Sequence, residues 1–240
     1  AELKKAQESA QNAEIKADAT AGSIPVLPKG FEFGGGMEVE ATQSETYAGV
    51  DSSDLTLAKV EVYFDAKPNE YLSTHIQLIY EDDGNETISL DEAFAIIGNT
   101  DKTPTYLQAG KWALPFGGFD TTMSTDPLTK TLGETAEAAL LVGYSINDFM
   151  LEGYGYNGDT QKSGDDDEID QFGLHGSFET KVSGNTFSIG AGYLSNISDS
   201  GTITENVTGG TALADYVPAW EVHGSLATGP FVFYGGYMTA

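Results

Sequence analysis

From Phe31 onward, hydrophobic and polar residues alternate one by one. Phe31, Phe33, Gly35, Met37, Val39 and Ala41 share one side of an extended chain, and Glu32, Gly34, Gly36, Glu38, Glu40 and Thr42 share the other. Successive side chains of a strand point to opposite faces, so this period predicts a strand of about twelve residues, longer than the five or six usual in soluble sheets. The pattern recurs. Ala58, Val60, Val62 and Phe64 oppose Lys59, Glu61, Tyr63 and Asp65; Leu72, Ile76, Leu78 and Tyr80 oppose Ser73, His75, Gln77 and Glu81. Phe172, Leu174 and Phe178 oppose Gln171, His175 and Glu179; Phe187, Ile189, Ala191 and Tyr193 oppose Ser188, Gly190 and Gly192; Trp220, Val222 and Leu226 oppose Glu221, His223 and Ser225. Weaker alternation covers 88–98, 105–114, 136–146, 149–157 and 230–238, which brings the expectation to about eleven antiparallel strands in an all-β fold.

The connections sort by length. Pro68-Asn69 and Ser183-Gly184-Asn185 read as tight turns and 99–104 as a slightly longer one, whereas 43–53, 82–87, 115–135, 157–170 and 196–217 read as long loops. Short turns alternating with long loops is the arrangement of a transmembrane β-barrel, with short turns on one side of the bilayer and long loops on the other. Aromatic residues near strand ends (Phe31, Phe64, Tyr80, Phe187, Tyr193, Trp220) suit the two membrane interfaces. The apolar face is then read as facing lipid. The polar face, with its Glu, Gln, His, Lys, Ser and Gly, is read as lining a lumen. A porin-like barrel is therefore expected over 31–240.

Residues 1–21 break the pattern. They contain no Gly, Pro or aromatic residue, and Leu3, Ala6, Ala10, Ala13 and Ala17 fall at alternating three- and four-residue steps, the seam of a helix or short coiled coil. A linker over 22–30, with Gly22, Pro25, Pro28 and Gly30, separates this segment from the barrel. The polar start without Met fits a mature exported chain, with its helix on the periplasmic side. Homo-oligomers, trimers included, are expected through this helix or the barrel wall. The longest apolar run, Ala138–Val142, is far below the roughly 18–20 residues of a spanning helix.

Composition narrows the function. Among 240 residues there are 37 Asp+Glu against 11 Lys+Arg, for a net charge of -26, and every basic residue is Lys. This excludes a phosphate-binding basic footprint, and with it nucleic acid as a partner. Cys is absent, which removes disulfides, thiolate metal sites and Cys nucleophiles. No phosphate-binding Gly-rich loop, H-E-x-x-H or G-x-S-x-G is present, so no enzyme activity is expected.

Several segments are similar to one family. GFEFGGGMEVEA (30–41), DLTLAKVEVYFDA (54–66), LDEAFAIIGN (90–99) and, most specifically, YLQAGKWALPFGGFDTTMSTDPLTKTLGET (106–135) resemble the LbtU family of siderophore porins. NGD (157–159), DQFG (170–173) and AGYLSNISDS (191–200) continue the likeness, which fades after about residue 200. The resemblance implies a bacterial outer-membrane β-barrel, often preceded by a coiled coil. It also implies diffusion or uptake of small solutes, with ferric siderophores as the named substrate. Bacterial barrels have even strand numbers and usually close on an aromatic residue, whereas this chain ends Met238-Thr239-Ala240. A partial barrel that continues beyond the chain is the resulting expectation.

Candidate pore-lining residues are Glu32, Glu38, Glu40, Lys59, Glu61, Asp65, His75, Gln77 and Lys111, an acidic set that would favour cations, with Lys59 and Lys111 neutralising part of it. Asp159, Asp165, Asp166, Asp167 and Asp170 crowd one loop whose hard oxygen donors suit Ca²⁺, although the EF-hand spacing is missing. His75, His175 and His223 all fall on the polar face. They lie far apart in sequence, so they are expected to be isolated lining residues rather than one metal site. The segment after Pro115-Phe116-Gly117-Gly118 is expected to fold inward as a constriction. The alternative to a porin is a non-catalytic surface structural or adhesive β-protein with Ca²⁺-loaded acidic loops.

Overall fold

The computed structural model describes residues 30–240 apart from 46, 48–50, 83–86, 118–126, 165, 167, 205 and 207–211. The helix expected at 1–21, and all of the linker except Gly30, lie outside the described residues. Eleven strands follow: β1 (Phe31–Glu45), β2 (Asp51–Asn69), β3 (Leu72–Glu81), β4 (Ile88–Gly98), β5 (Thr105–Ala113), β6 (Ala136–Ile146), β7 (Phe149–Tyr156), β8 (Gln171–Val182), β9 (Asn185–Leu194), β10 (Ala219–Thr228) and β11 (Phe231–Thr239). Each pairs antiparallel with its sequence neighbours in a single sheet ordered β1 to β11. Among the described residues β1 and β11 each pair with one strand only, so closure into a barrel is not shown.

The strands form where the residues alternate, and β1 and β2 extend well beyond the alternation. β1 and β2 make a ribbon of 15 and 19 residues that continues through 43–45 and 51–53, which the sequence pattern assigns to a loop. Polar pairs carry it there: Ser44 stands opposite Ser52, with their hydroxyls 2.6 Å apart. A ladder of backbone hydrogen bonds needs no apolar face. β2 also runs through Pro68 and Asn69, so the turn lies at Glu70-Tyr71 rather than at Pro68-Asn69. Strands β3 to β11 are 8 to 12 residues long, close to the roughly 9–11 needed to cross a bilayer at a tilt.

Connections after even strands are tight at 70–71, 147–148, 183–184 and 229–230 and longer at 99–104; those after odd strands include 114–135, 157–170 and 195–218. The positive φ of Asn147, Ser183, Gly184 and Gly229 sits in the two-residue turns, where the twist of a hairpin demands it. In an up-and-down sheet this parity puts all long loops at one end.

The two faces are inverted relative to a soluble protein. One carries Phe33, Met37, Leu107, Leu140, Val142, Leu151, Leu174, Ile189, Trp220, Val222 and Phe233, all exposed. The other buries Trp112, Leu141, Tyr154, Tyr156, Leu194 and Ala219 together with Gln108, Glu152, Gln171, His175 and Glu221. We call this second surface the inner face. It is crowded, and glycines make room on it. Tyr63 lies over Gly34, Tyr106 over Gly143 and Tyr154 over Gly173, each pair directly cross-strand. A Cβ at any of these glycines would stand 2.1–2.2 Å from the ring atoms. The packed part of the inner face lies at the long-loop end of β5 to β10, where Leu114, Phe116 and Ile197 close over the strands. No helix among the described residues is long and apolar enough to span a membrane, which says nothing of a β-barrel.

Candidate functional site

The inner face carries the chemistry, in three zones. Across β1 to β4, register places Glu32 opposite Asp65, Glu38 opposite Lys59, Asp65 opposite His75 and Gln77 opposite Glu92. Lys59 forms an ion pair with Glu61. His75 Nδ1 lies 2.7 Å from Asp65 Oδ1 and its Nε2 lies 3.7 Å from Glu92 Oε2. Its ring is stacked between Tyr63 and Phe94. The Gln77 amide donates to Asp91 at 3.0 Å. Glu40 shares this face by alternation, opposite Thr56. Eight of the nine expected lining positions thus fall on one side.

Lys111 does not. It stands opposite Ala93 and Ala138, on the face of the exposed Leu107 and Leu140. The inward residues of β5 are Tyr106, Gln108 and Trp112, and alternation from them leaves Lys111 on the outer side. It does not join Glu32, Glu38 and Glu61.

The second zone runs across β5 to β10 and joins residues that sequence spacing does not bring together. Tyr106 O–H donates to Glu152 Oε1 at 2.6 Å, and Glu152 Oε2 accepts from His175 Nδ1 at 2.9 Å. On β10, His223 Nδ1 lies 2.8 Å from Glu221 Oε2. The two imidazoles are stacked, with centroids 5.8 Å apart and planes at 11°. His175 and His223 are therefore adjacent and not isolated, while His75 remains apart with Asp65. Gly192 faces both His175 and Glu221, and Gly190 faces His223. The signal for this in the sequence is the pair of glycines at alternate polar-face positions of β9.

The third zone is a polar layer from the long loops. Asp199 Oδ1 accepts from the Thr160 amide and hydroxyl, both at 2.7 Å, and its Oδ2 accepts from Asn196 Nδ2 at 2.9 Å. Gln171 donates to the Thr160 carbonyl at 3.1 Å. Burial pushes the Asp199 carboxyl above its usual range, and the hydrogen bonds from Thr160, Gln171 and Asn196 draw it partly back. Outside this layer, the Tyr216 hydroxyl is pushed up to about 12 by burial and by its bond to Asp170. Leu114 and Phe116 are buried against the inner core, while 118–126 of the segment expected to fold inward as a constriction lie outside the described residues. Of the acidic loop, Asp165 and Asp167 lie outside the described residues. Asp170 accepts from Tyr216, while Asp159 and Asp166 join no converging group of ligands among the described residues.

An antiparallel sheet with an exposed apolar face, a polar inner face and long loops at one end is a porin-like fold. It aligns with OprB of Pseudomonas putida at a TM-score of 0.54 and 11% identity, over 84% of this chain and 62% of that one. In sequence the chain is 31% identical over 228 residues to the UPF0422 protein of Coxiella burnetii, covering 90% of this chain and 48% of that protein. A UPF0422 protein of Legionella pneumophila is 29% identical over 190 residues, covering 74% of this chain and 35% of that protein. The chain spans about half the length of the first of these curated relatives and about a third of the second. No family model matches the chain.

Proposed function

We propose that this chain forms wall of an outer-membrane porin whose inner face lines an acidic lumen, through which small cationic and neutral solutes diffuse. The observation that carries the reading is the inversion of the two faces. Leu140 is 59% exposed and its neighbour Leu141 1% exposed, and carboxylates stand on the side where a soluble protein would keep its core. Exposed apolar side chains on strand after strand are costly in water and favourable in lipid. The lumen side holds Glu32, Glu38, Glu61, Asp65 and Glu92 against Lys59, and a confined surplus of carboxylates repels anions. Ferric siderophores, the solutes named by the LbtU resemblance, fit such a lumen where their complexes are neutral or cationic.

The test is the full chain in planar bilayers under a salt gradient. Stepwise conductance with a reversal potential on the cation-selective side is expected, as is dependence on detergent for dispersal. A protein that stays monodisperse without detergent and never conducts would overturn the reading in favour of the soluble surface-protein alternative.

A further inference from the structure

We propose that His175, Glu221 and His223 form a binding site for a divalent transition-metal ion of the Zn²⁺ class on the inner face. One ligand atom from each residue lies within 4.8 Å of the other two. Two features beyond proximity point to a ligand. His175 and Glu221 are 8% and 3% exposed, yet His175 Nε2 and Glu221 Oε1 have no hydrogen-bond partner. Buried polar atoms are nearly always satisfied, and an orphaned imidazole nitrogen beside an orphaned carboxylate oxygen is the donor set a cation completes.

The second feature is the orientation of the rings. A carboxylate can only accept, so Glu152 fixes the N–H of His175 on Nδ1, and Glu221 Oε2 does the same for His223. Each imidazole is thereby held in the tautomer whose Nε2 lone pair is free. This is the carboxylate–histidine arrangement that orients metal ligands. Tyr106, donating to the other oxygen of Glu152, holds that carboxylate in place.

The backbone leaves the space. A Cβ on Gly190 would lie 2.4 Å from His223 Cε1, 2.5 Å from its Nε2 and 3.3 Å from His175 Nε2. A Cβ on Gly192 would lie 2.7 Å from Glu221 Oε1. The two glycines of β9 open a cradle between β8 and β10 into which the three side chains fold. Two imidazoles and a carboxylate select a borderline transition metal over Ca²⁺ or Mg²⁺, which prefer all-oxygen shells. Ligand atoms within 4.8 Å of one another are near enough to share one Zn²⁺ held at about 2.0–2.2 Å from each donor.

The experiment uses the full chain in detergent, stripped with chelator and titrated with Co²⁺ or Zn²⁺ alone. Calorimetry is expected to give one site, and Co²⁺ to give the d–d absorption of low-coordinate nitrogen and oxygen ligation, displaced by Zn²⁺. His223→Gln and Gly190→Ala should weaken binding at least about ten-fold with the β-sheet circular dichroism unchanged. Glu152→Gln, which positions His175 without touching the ion, should weaken it roughly 10–100-fold. Absence of stoichiometric binding, or wild-type affinity in a folded His175→Gln/His223→Gln double variant, would overturn the assignment. Bilayer conductance is read separately: channels without metal binding refute this site alone, and metal binding without channels refutes only the porin reading.

Discussion

The imidazoles of His175 and His223 are stacked 5.8 Å apart although a whole strand, β9, runs between the strands that carry them. No side chain of β9 separates them because Gly190 and Gly192 occupy the positions in register with them. The contact between two distant residues is thus decided by what a third strand lacks.

Glu152 is the hinge of this network, accepting from Tyr106 and His175 on its two oxygens. Glu152→Leu leaves the buried His175 N–H without an acceptor and the half-buried Tyr106 hydroxyl with only the weak acceptor Met150 Sδ at 3.6 Å, and a buried donor left unpaired costs about 1–3 kcal/mol. A loss of roughly 2–4 kcal/mol in unfolding free energy in detergent is expected, with Glu152→Gln distinctly milder because its amide still accepts from one donor. Equal stability of the Leu variant and wild type would contradict the network.

Gly143 is predicted to tolerate no larger residue. Tyr106 covers it so closely that a Cβ would sit 2.1 Å from Tyr106 Cζ. Gly143→Val should therefore expel the ring and cost about 1–3 kcal/mol through overpacking. A Gly143→Val/Tyr106→Ala double variant should recover part of that loss in the same urea titration.

The outer wall offers a test of its medium. Leu140→Arg places a charge on an exposed apolar strand position, which costs about 2–4 kcal/mol at a bilayer midplane and nothing comparable in water. Folding into lipid vesicles should fail or slow markedly, and a variant that folds and inserts as well as wild type would show that this face does not meet lipid.

Asp199 makes the loop layer sensitive to pH. Its folded pKa is raised above the ordinary 3.8, so the folded state holds the proton more tightly than the unfolded state. The stability it contributes is full below the ordinary value and is lost as pH rises through the raised one. Asp199→Asn should remove that loss of stability with rising pH. Asp199→Ala should free the Thr160 amide, read as faster hydrogen exchange at Thr160, while the strands stay protected. A pH–stability profile identical in Asp199→Asn and wild type would refute the assignment.

The porin reading predicts that the charge of the inner face sets ion selectivity. Replacing Glu32, Glu38 and Glu61 by Gln should shift the reversal potential in a salt gradient toward zero, and Lys59→Gln should shift it the other way. Lys111→Gln should change selectivity least, because Lys111 shares the face of Ala93 and Ala138. An effect of Lys111→Gln as large as that of Lys59→Gln would contradict this placement.

Alternation alone located the strands because in a sheet with two unlike faces every second side chain must suit a different environment. That requirement is local, so it survives without any knowledge of partners. It placed β6 within its observed bounds at 136–146 and sorted short turns from long loops by parity. It faded where backbone pairing needs no apolar side, as in the Ser44–Ser52 ribbon. For Lys111 the same alternation, running through Tyr106, Gln108 and Trp112, gives the outer side and not the lining position expected of a lysine that neutralises the carboxylates. What the sequence by itself determined is the two-faced all-β wall and the acidity of one face. Which lining residues meet was decided by the tertiary structure. Register between neighbouring strands is set by many backbone hydrogen bonds at once, two of these pairings spanning the long 157–170 and 195–218 connections, and only that register brings Glu152 to His175 and both histidines over the bare backbone of Gly190 and Gly192.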